Sequence, residues 1–360
     1  MGKQTPFYAQ HVKAQAKIVD FAGWDMPLHY GSQIEEHHIV RREVGMFDVS
    51  HMGVVDISGK DAAPYLRYLL ANNIDRITPG RAIYTCMLNE KGGVIDDLIV
   101  YKLSETDFRI VINAGTREKD LAWMRKQSNA FELTIQERLD LCMLAIQGPL
   151  AYQKVAEMDV ISKEDLSALK NFSFLTFDDW LIARTGYTGE EGVEMIFPVA
   201  FAESIWEKAL VAGIKPCGLG SRDTLRLEAG LNLYGNDMDE TVTPLESNLS
   251  WTVAMEPTDR DFIGRKALSL LQNQNPAGHM VGLVLEGPGV IRNHQRVVFA
   301  NGPEGYVTSG GYSPTLAKSI ALARVPVQIS ETCTVEIRNK AIPAKIVKPP
   351  FVRKGKKMFE

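Results

Sequence analysis

Cysteine is scarce. Cys86, Cys142, Cys217 and Cys333 are the only four in 360 residues, and no two form a Cys-x-x-Cys pair. That spacing supports neither a zinc site nor a disulfide framework, and buried free thiols in a reducing compartment are the plain reading. A surplus of either charge is also missing. Forty Lys and Arg stand against 44 Asp and Glu, a net charge of −4. No basic excess is left to neutralise a polyphosphate backbone, so nucleic acid is not an expected partner. No apolar run reaches the roughly 18 residues a spanning helix needs, so no membrane association is expected. The opening Met1–Pro6 has no apolar h-region and no Arg/Ser-rich stretch, and Pro6 breaks the myristoylation pattern. A cytoplasmic protein is expected, or a matrix protein already trimmed. Gly-x-Ser-x-Gly, a Walker loop and His-Glu-x-x-His are all absent. Gly218-Leu219-Gly220 lacks the third glycine of a dinucleotide fingerprint. The adjacent His37-His38 pair points its rings in different directions, which reads as two surface histidines rather than a metal site.

What remains is an ordinary globular composition, 45% hydrophobic, 23% charged and 8% aromatic, with a length that suits two or three domains. Helical spacing covers Asp61–Leu70, a stretch from Thr116 to about Gln127, and Phe201–Ala212. Strand-like runs fall at Gly53–Ser58, Leu98–Leu103, Phe108–Asn113 and Cys142–Gln147. Short helices and strands alternate without a βαβ rhythm, which favours α+β over a doubly wound sheet. Leu270–Gly278 is polar with Pro and Gly, and reads as a linker. Beyond it Met280–Glu286, Arg296–Ala300, Ser319–Val325 and Thr334–Arg338 read as strands, with a turn at Asn301-Gly302, and Asn339-Lys340 leads into a last strand near Ala344–Val347. The expected division is therefore 1–270, a mixed α+β region, and 279–360, a small antiparallel β domain, sandwich or barrel.

Three clusters carry chemistry. In Gly92–Tyr101 two carboxylates, Asp96 and Asp97, interrupt an apolar strand. Successive strand side chains leave opposite faces, so only one of them can look into a given pocket. Either both end a Gly-Gly turn in solvent, or one is held toward a ligand nitrogen. In Gly186–Glu194 three glycines in seven residues permit close approach of a ligand, Tyr187 offers a stacking face, and Glu194 offers two acceptors to a planar edge bearing adjacent donors, such as a pterin. The alternative is a β-turn with solvated acids. In Ser221–Gly230, Ser221 could cap a short helix that Gly230 closes. Arg222 and Arg226 share one helical face, and Arg226 can pair with Asp223. The arginines are either an ordinary charged face or a contact to an oxygen of an anionic ligand.

Taken together, Asn89–Leu98, Gly186–Glu190 and Arg222–Gly230 resemble the aminomethyltransferase, or T-protein, family of the glycine cleavage system. So do Phe47-Asp48-Val49-Ser50-His51-Met52, Leu233–Glu240, Thr5-Pro6-Phe7-Tyr8 and Pro350-Phe351-Val352. The resemblance runs in order along nearly the whole chain. It implies a three-domain cloverleaf of α+β class with a C-terminal antiparallel β-barrel. It also implies tetrahydrofolate as acceptor substrate, and the lipoylated H-protein as the partner that delivers an aminomethyl group. Neither metal nor flavin is implied. By motif, Asp97 is the catalytic carboxylate and Glu194 and Arg222 are folate contacts, with Met52, Tyr84, Tyr101, Asn113 and Tyr187 as pocket walls. Two relatives of the fold are rival readings. The flavin-dependent demethylating enzymes carry a dinucleotide fingerprint upstream of the folate module. The folate-binding factor of iron–sulfur maintenance carries a Lys-Gly-Cys-Tyr motif, where this chain has Arg184-Thr185-Gly186-Tyr187.

Overall fold

The computed structural model describes residues 2–274, 278–300, 302, 304–327, 329 and 332–360. They form two compact units. One comprises Met1–Tyr65, Ile74–Ile83 and Leu98–Leu225, the other Leu66–Asn73, Tyr84–Asp97 and Arg226–Glu360. The chain passes between them inside the helices Ala62–Leu69 and Leu219–Glu228, inside the strands Arg81–Leu88 and Val94–Lys102, and just before Ile74–Arg76.

The first unit is built on a six-stranded sheet in the order Phe174–Phe177, Trp180–Ala183, Gly192–Pro198, Leu141–Gln147, Gly45–Asp48, Lys215–Pro216. Its pairs are antiparallel except the last, which is parallel. Leu141–Gln147 is buried at every residue. The period of two explains this. Cys142, Leu144 and Ile146 enter one core with Val193, Met195, Phe197 and the helix residues Ile205, Trp206 and Ala209. Leu141, Met143 and Ala145 enter another with Phe47, Tyr101, Val111, Leu181, Ala183 and Ile196. Both faces are covered, so the strand reads as a continuous apolar run rather than an alternation.

In this unit a buried polar network ties the chain start to the Gly45–Asp48 strand. Asp48 accepts from Thr5 Oγ1 at 2.6 Å, from the Ser50 N–H at 2.9 Å and pairs with His11 Nε2 at 2.9 Å. Tyr30 Oη lies 2.8 Å from the other ring nitrogen of His11. Burial alone would raise the Asp48 carboxyl; the hydrogen bond and charge of His11, helped by Thr5, hold it below the usual carboxylate range.

The second unit contains a closed six-stranded antiparallel barrel, ordered Gly278–Leu285, Lys318–Pro326, Glu304–Ser313, Arg296–Phe299, Thr332–Ile337, Lys340–Val347 and back to the first. Leu283, Ile291, Val297, Phe299, Val307, Ala321, Ala323 and Val335 fill it. Alternation places them: Cys333 and Val335 point inward along Thr332–Ile337 while their neighbours do not. Closure leaves no unpaired edge to cover.

Most expected elements are present, with shifted ends: Ala62–Leu69, Arg117–Gln127, Ala202–Val211 and Asp107–Ile112. Three expectations need correction. The linker placed at 270–278 is helical through residue 274, because Arg265–Gln274 is anchored by the fully buried Leu268; residues 275–277 lie outside the described residues, as does residue 301 of the expected Asn301-Gly302 turn. Ser221 is not a cap: the helix already begins at Leu219, and its start is held by Glu36, which accepts from the Gly218 N–H at 2.8 Å. His37 is not a surface residue; it is fully buried, with Nδ1 2.8 Å from Thr224 Oγ1. The two rings of the His37-His38 pair do stand at 86° to each other. No described helix is long and apolar enough to cross a membrane.

Candidate active site

Glu194 lies on Gly192–Pro198, one residue out of phase with Val193, Met195 and Phe197. It therefore shares the face of Ile196, which is apolar. Its strand partners there are Ala145 on one side and Ala183 on the other, residues too small to offer it a hydrogen bond. One bond comes instead from Thr185 Oγ1 at 2.6 Å. Thr185 lies two residues beyond the end of the strand Trp180–Ala183, just past the residue paired with Glu194. Burial raises the Glu194 carboxyl above its ordinary value, and the Thr185 bond and the Arg222 charge offset this only in part.

Arg222 is half-buried on the Leu219–Glu228 helix, its guanidinium 4.7 Å from the centre of the Tyr187 ring. Burial pulls its pKa down, opposed by the charge of Glu194. Its Nη1 is buried and has no hydrogen-bond partner among the described residues. Tyr101 is fully buried, with Oη 3.5 Å from Thr185 Oγ1. The Gly186–Glu194 loop can lie this close because its glycines have no Cβ. A Cβ on Gly186 would run into the amide of Gln147, and one on Gly192 into the carbonyl of Ile146. The acids of this loop are not solvated, as the turn reading had it: Glu190 pairs with Arg41 at 2.8 Å with both side chains buried, and Glu191 with Arg184 at 2.7 Å.

Reading the residues one cluster at a time missed two members of this group, Thr185 and His51. His51 is 4% exposed, its ring perpendicular to that of Phe21 with centroids 5.5 Å apart, and its Nδ1 has no hydrogen-bond partner among the described residues. Burial lowers its pKa to about 4; Asp48 opposes that shift and the Arg222 charge adds to it. The ring is thus a neutral imidazole in the same electrostatic neighbourhood as Arg222. A signal was available, since His51 stands next to Met52 in the Phe47–Met52 motif. Met52 borders a cavity of about 290 Å³ together with Trp24, Ser50, Val54, Arg117 and Arg138. Asn113 sits just past the end of Asp107–Ile112, where its carbonyl accepts from Thr116 Oγ1 at 3.2 Å.

In the other unit, the Gly-Gly pair does turn the chain into the strand that carries the two aspartates. Gly92 has φ +84°, and a Cβ on Gly93 would run into the carbonyl of Glu240. Both aspartates lie inside Val94–Lys102 rather than in a solvated turn. Asp96 is fully buried and Asp97 half-buried, as opposite faces require. Asp97 Oδ2 accepts from Tyr84 Oη at 2.7 Å. Tyr84 and Trp251 are stacked, with centroids 5.4 Å apart and planes at 24°. Arg226, the second arginine of its helix, forms a buried pair with Asp237 at 2.9 Å. Among the described residues no cluster of three His, Cys, Asp or Glu side chains is arranged to hold a metal ion.

Within the first unit, then, Glu194, Arg222, Tyr187 and Tyr101 form one connected group. It presents a carboxylate, an unpartnered buried guanidinium nitrogen and an aromatic face. Such a group accepts a planar heterocycle with donors along one edge and an acceptor beside them. Comparison with known proteins places these residues in a family. Residues 7–257 match the GCVT N-terminal domain, and residues 279–353 the glycine cleavage T-protein C-terminal barrel domain. An aminomethyltransferase of Alcanivorax borkumensis is 58% identical over 100% of this chain and 99% of that relative. Those of Legionella pneumophila (strain Paris) and Pseudomonas syringae pv. tomato are each 53% identical, across 99% and 100% of this chain and the same shares of theirs. The crystal structure of glycine cleavage system aminomethyltransferase T from Bartonella henselae matches with a TM-score of 0.93 at 34% identity, covering both chains fully. The chain belongs to the glycine cleavage T-protein family, the aminomethyltransferases.

Proposed function

We infer that this chain catalyses the aminomethyl-transfer step of glycine cleavage. It takes the one-carbon unit from an aminomethylated lipoyl arm on H-protein and passes it to tetrahydrofolate. The products are 5,10-methylenetetrahydrofolate, ammonia and the dihydrolipoyl H-protein. The observation that carries this reading is full-length identity of 52–58% to aminomethyltransferases.

Within that reading Glu194 and Arg222 hold the pterin. Glu194 accepts from adjacent pterin donors, and the unpartnered Nη1 of Arg222 supplies a donor to an oxygen or nitrogen of the ring. Tyr187, Tyr101, Met52, Tyr84 and Asn113 are proposed walls. Asp97 is the proposed catalytic carboxylate. The one-carbon unit must leave sulfur and lose ammonia through a cationic carbon, and a carboxylate fixed beside it stabilises that charge and orients the attacking amine. Delivery on H-protein makes the encounter effectively intramolecular, so free lipoamide should be a poor substitute. The division into 1–270 and 279–360 is proposed on the change of texture along the chain, and the reading of 1–270 as two interleaved α+β domains on the resemblance.

The test is reconstitution. Methylenetetrahydrofolate and ammonia should appear together, and only when both tetrahydrofolate and aminomethylated H-protein are supplied. Ammonia release at full rate without folate would refute the transfer, and folate binding without turnover would favour the non-enzymatic relative.

A further inference from the structure

Asp97, Tyr84 and Trp251 form a chain of contacts that neither sequence motif nor resemblance singled out as a unit. Tyr84 lies on Arg81–Leu88, in phase with Cys86 and Leu88, which are buried in a core with Val94, Leu249 and Phe262. That packing fixes the ring, and its hydroxyl ends 2.7 Å from Asp97 Oδ2. Trp251 lies in the short turn Ser250–Thr252, whose flanks are anchored. Leu249 is buried, and Thr252 is fully buried with Oγ1 2.7 Å from the Leu249 carbonyl and 3.4 Å from Cys86 Sγ. The indole itself is 59% exposed. An anchored turn that presents a large indole at the surface, with one face laid on Tyr84 at 5.4 Å and 24°, shields the phenol rather than filling a core.

We propose that Tyr84 and Trp251 are positioning residues for Asp97: the phenol fixes the carboxylate through its hydrogen bond, and the indole fixes the phenol. This rests on the reading of Asp97 as the catalytic carboxylate. The physical reason is that a carboxylate can rotate among several orientations, and a donor held by a packed ring selects one of them. Stacking limits rotation of the phenol and keeps water off one side of the bond, which strengthens a hydrogen bond to a charged group. Tyr84 then serves the reaction by more than forming a wall.

The experiment measures steady-state methylenetetrahydrofolate formation with aminomethylated H-protein, and calorimetric tetrahydrofolate binding, for six forms of the full chain. They are the wild type, Tyr84→Phe, Trp251→Leu, Trp251→Phe, Asp97→Asn and the double variant Tyr84→Phe/Asp97→Asn. Tyr84→Phe keeps the ring and should lower kcat about tenfold, the scale of one hydrogen bond to a charged group. Trp251→Leu should lower kcat by about three- to fivefold, and Trp251→Phe should return it to within about twofold. Folate affinity should stay within about twofold in all three, because the role is exerted on the carboxylate rather than on the ligand. The double variant should turn over no more slowly than Asp97→Asn alone, since the two act as one unit. Wild-type kcat in Tyr84→Phe and Trp251→Leu beside a slow Asp97→Asn would overturn the positioning role and leave Asp97 standing. A rise in folate Kd without a change in kcat would do the same, by showing Tyr84 to be a ligand wall and nothing more. Losses that multiply in the double variant would overturn the coupling. An Asp97→Asn enzyme with full activity would remove the underlying reading itself. Should Trp251→Leu fail to fold by circular dichroism, Tyr84→Phe and the double variant still decide.

Discussion

At the scale of single residues, neighbouring carboxylates have different environments. Asp96 is fully buried and Asp97 half-buried, two consecutive residues on opposite faces of one strand. Asp97→Asn keeps the shape and removes the charge, and should lower turnover by about 10²-fold with little change in folate affinity. Asp96→Asn should act through stability instead, costing about 1–3 kcal/mol as a buried polar group loses its preferred pairing, while the folded fraction turns over within a few-fold of wild type. Chemical denaturation beside kinetics separates the two. Glu194→Ala and Arg222→Ala should each weaken tetrahydrofolate binding by about 1–3 kcal/mol, because ligand donors or acceptors would be left unpaired. Calorimetry giving wild-type affinity for both would remove this cluster as the pterin site. His51 carries a pH signature. Its folded pKa of about 4 lies below its ordinary 6.5, so between those values the unfolded chain binds a proton that the folded chain refuses. Stability is therefore lost as pH falls from 6.5 toward about 4, by up to about 3 kcal/mol for this group. Denaturation curves of the wild type and His51→Asn should diverge only across that window. Parallel curves would show that His51 is not held neutral by the fold.

At the scale of elements, strand period decides which side chains can meet. Glu194 and Thr185 reach one another because Glu194 is in phase with Ile196 on its strand, the pairing Glu194↔Ala183 sets the register, and Thr185 follows two residues past the end of Trp180–Ala183. A slip of one residue would turn both out of the cluster. The strand with the two aspartates is set in the same way by its entry. Gly92 takes a left-handed backbone and Gly93 passes against the Glu240 carbonyl. Gly93→Ala should therefore cost about 1–3 kcal/mol through overpacking against backbone that has nowhere to move. It should also lower kcat, because the start of the strand carries Asp97. A variant melting like the wild type would show that the Glu240 segment gives way freely. Near the C-terminus Val352–Arg353 and Lys356–Lys357 pair as a small antiparallel hairpin.

For the molecule as a whole, the reading requires that a ligand-bound chain be harder to unfold than a free one. Binding to the native state alone adds about 2.7 kcal/mol at a ligand concentration of a hundred times Kd. Melting temperature should rise with the logarithm of tetrahydrofolate concentration in the wild type. Glu194→Ala should need proportionally more ligand for the same rise. A flat response across that range would mean that the native state does not hold folate at all.

The sequence alone settled the composition class, the α+β texture and an antiparallel β region at the C-terminus, because these depend on local period and on turn chemistry at glycines. That this region closes as a barrel was implied by the family resemblance, which short motifs along the chain carry. The helix through 270–274 was hidden, since its polar residues owe their helicity to Leu268 packing in a core that no local window contains. The burial of His37, the start of the Leu219–Glu228 helix under Glu36, and the pairing of Glu190 with Arg41 were hidden for the same reason: each partner lies more than 140 residues away. Local pattern therefore marked the three clusters around Asp96-Asp97, Glu194 and Arg222, and the family resemblance chose Asp97, Glu194 and Arg222 within them as the expected site residues. Only tertiary packing could bring Thr185 to Glu194, leave Arg222 Nη1 and His51 Nδ1 buried without protein partners, and lay Trp251 on Tyr84, because burial and long-range contact are properties of the folded chain.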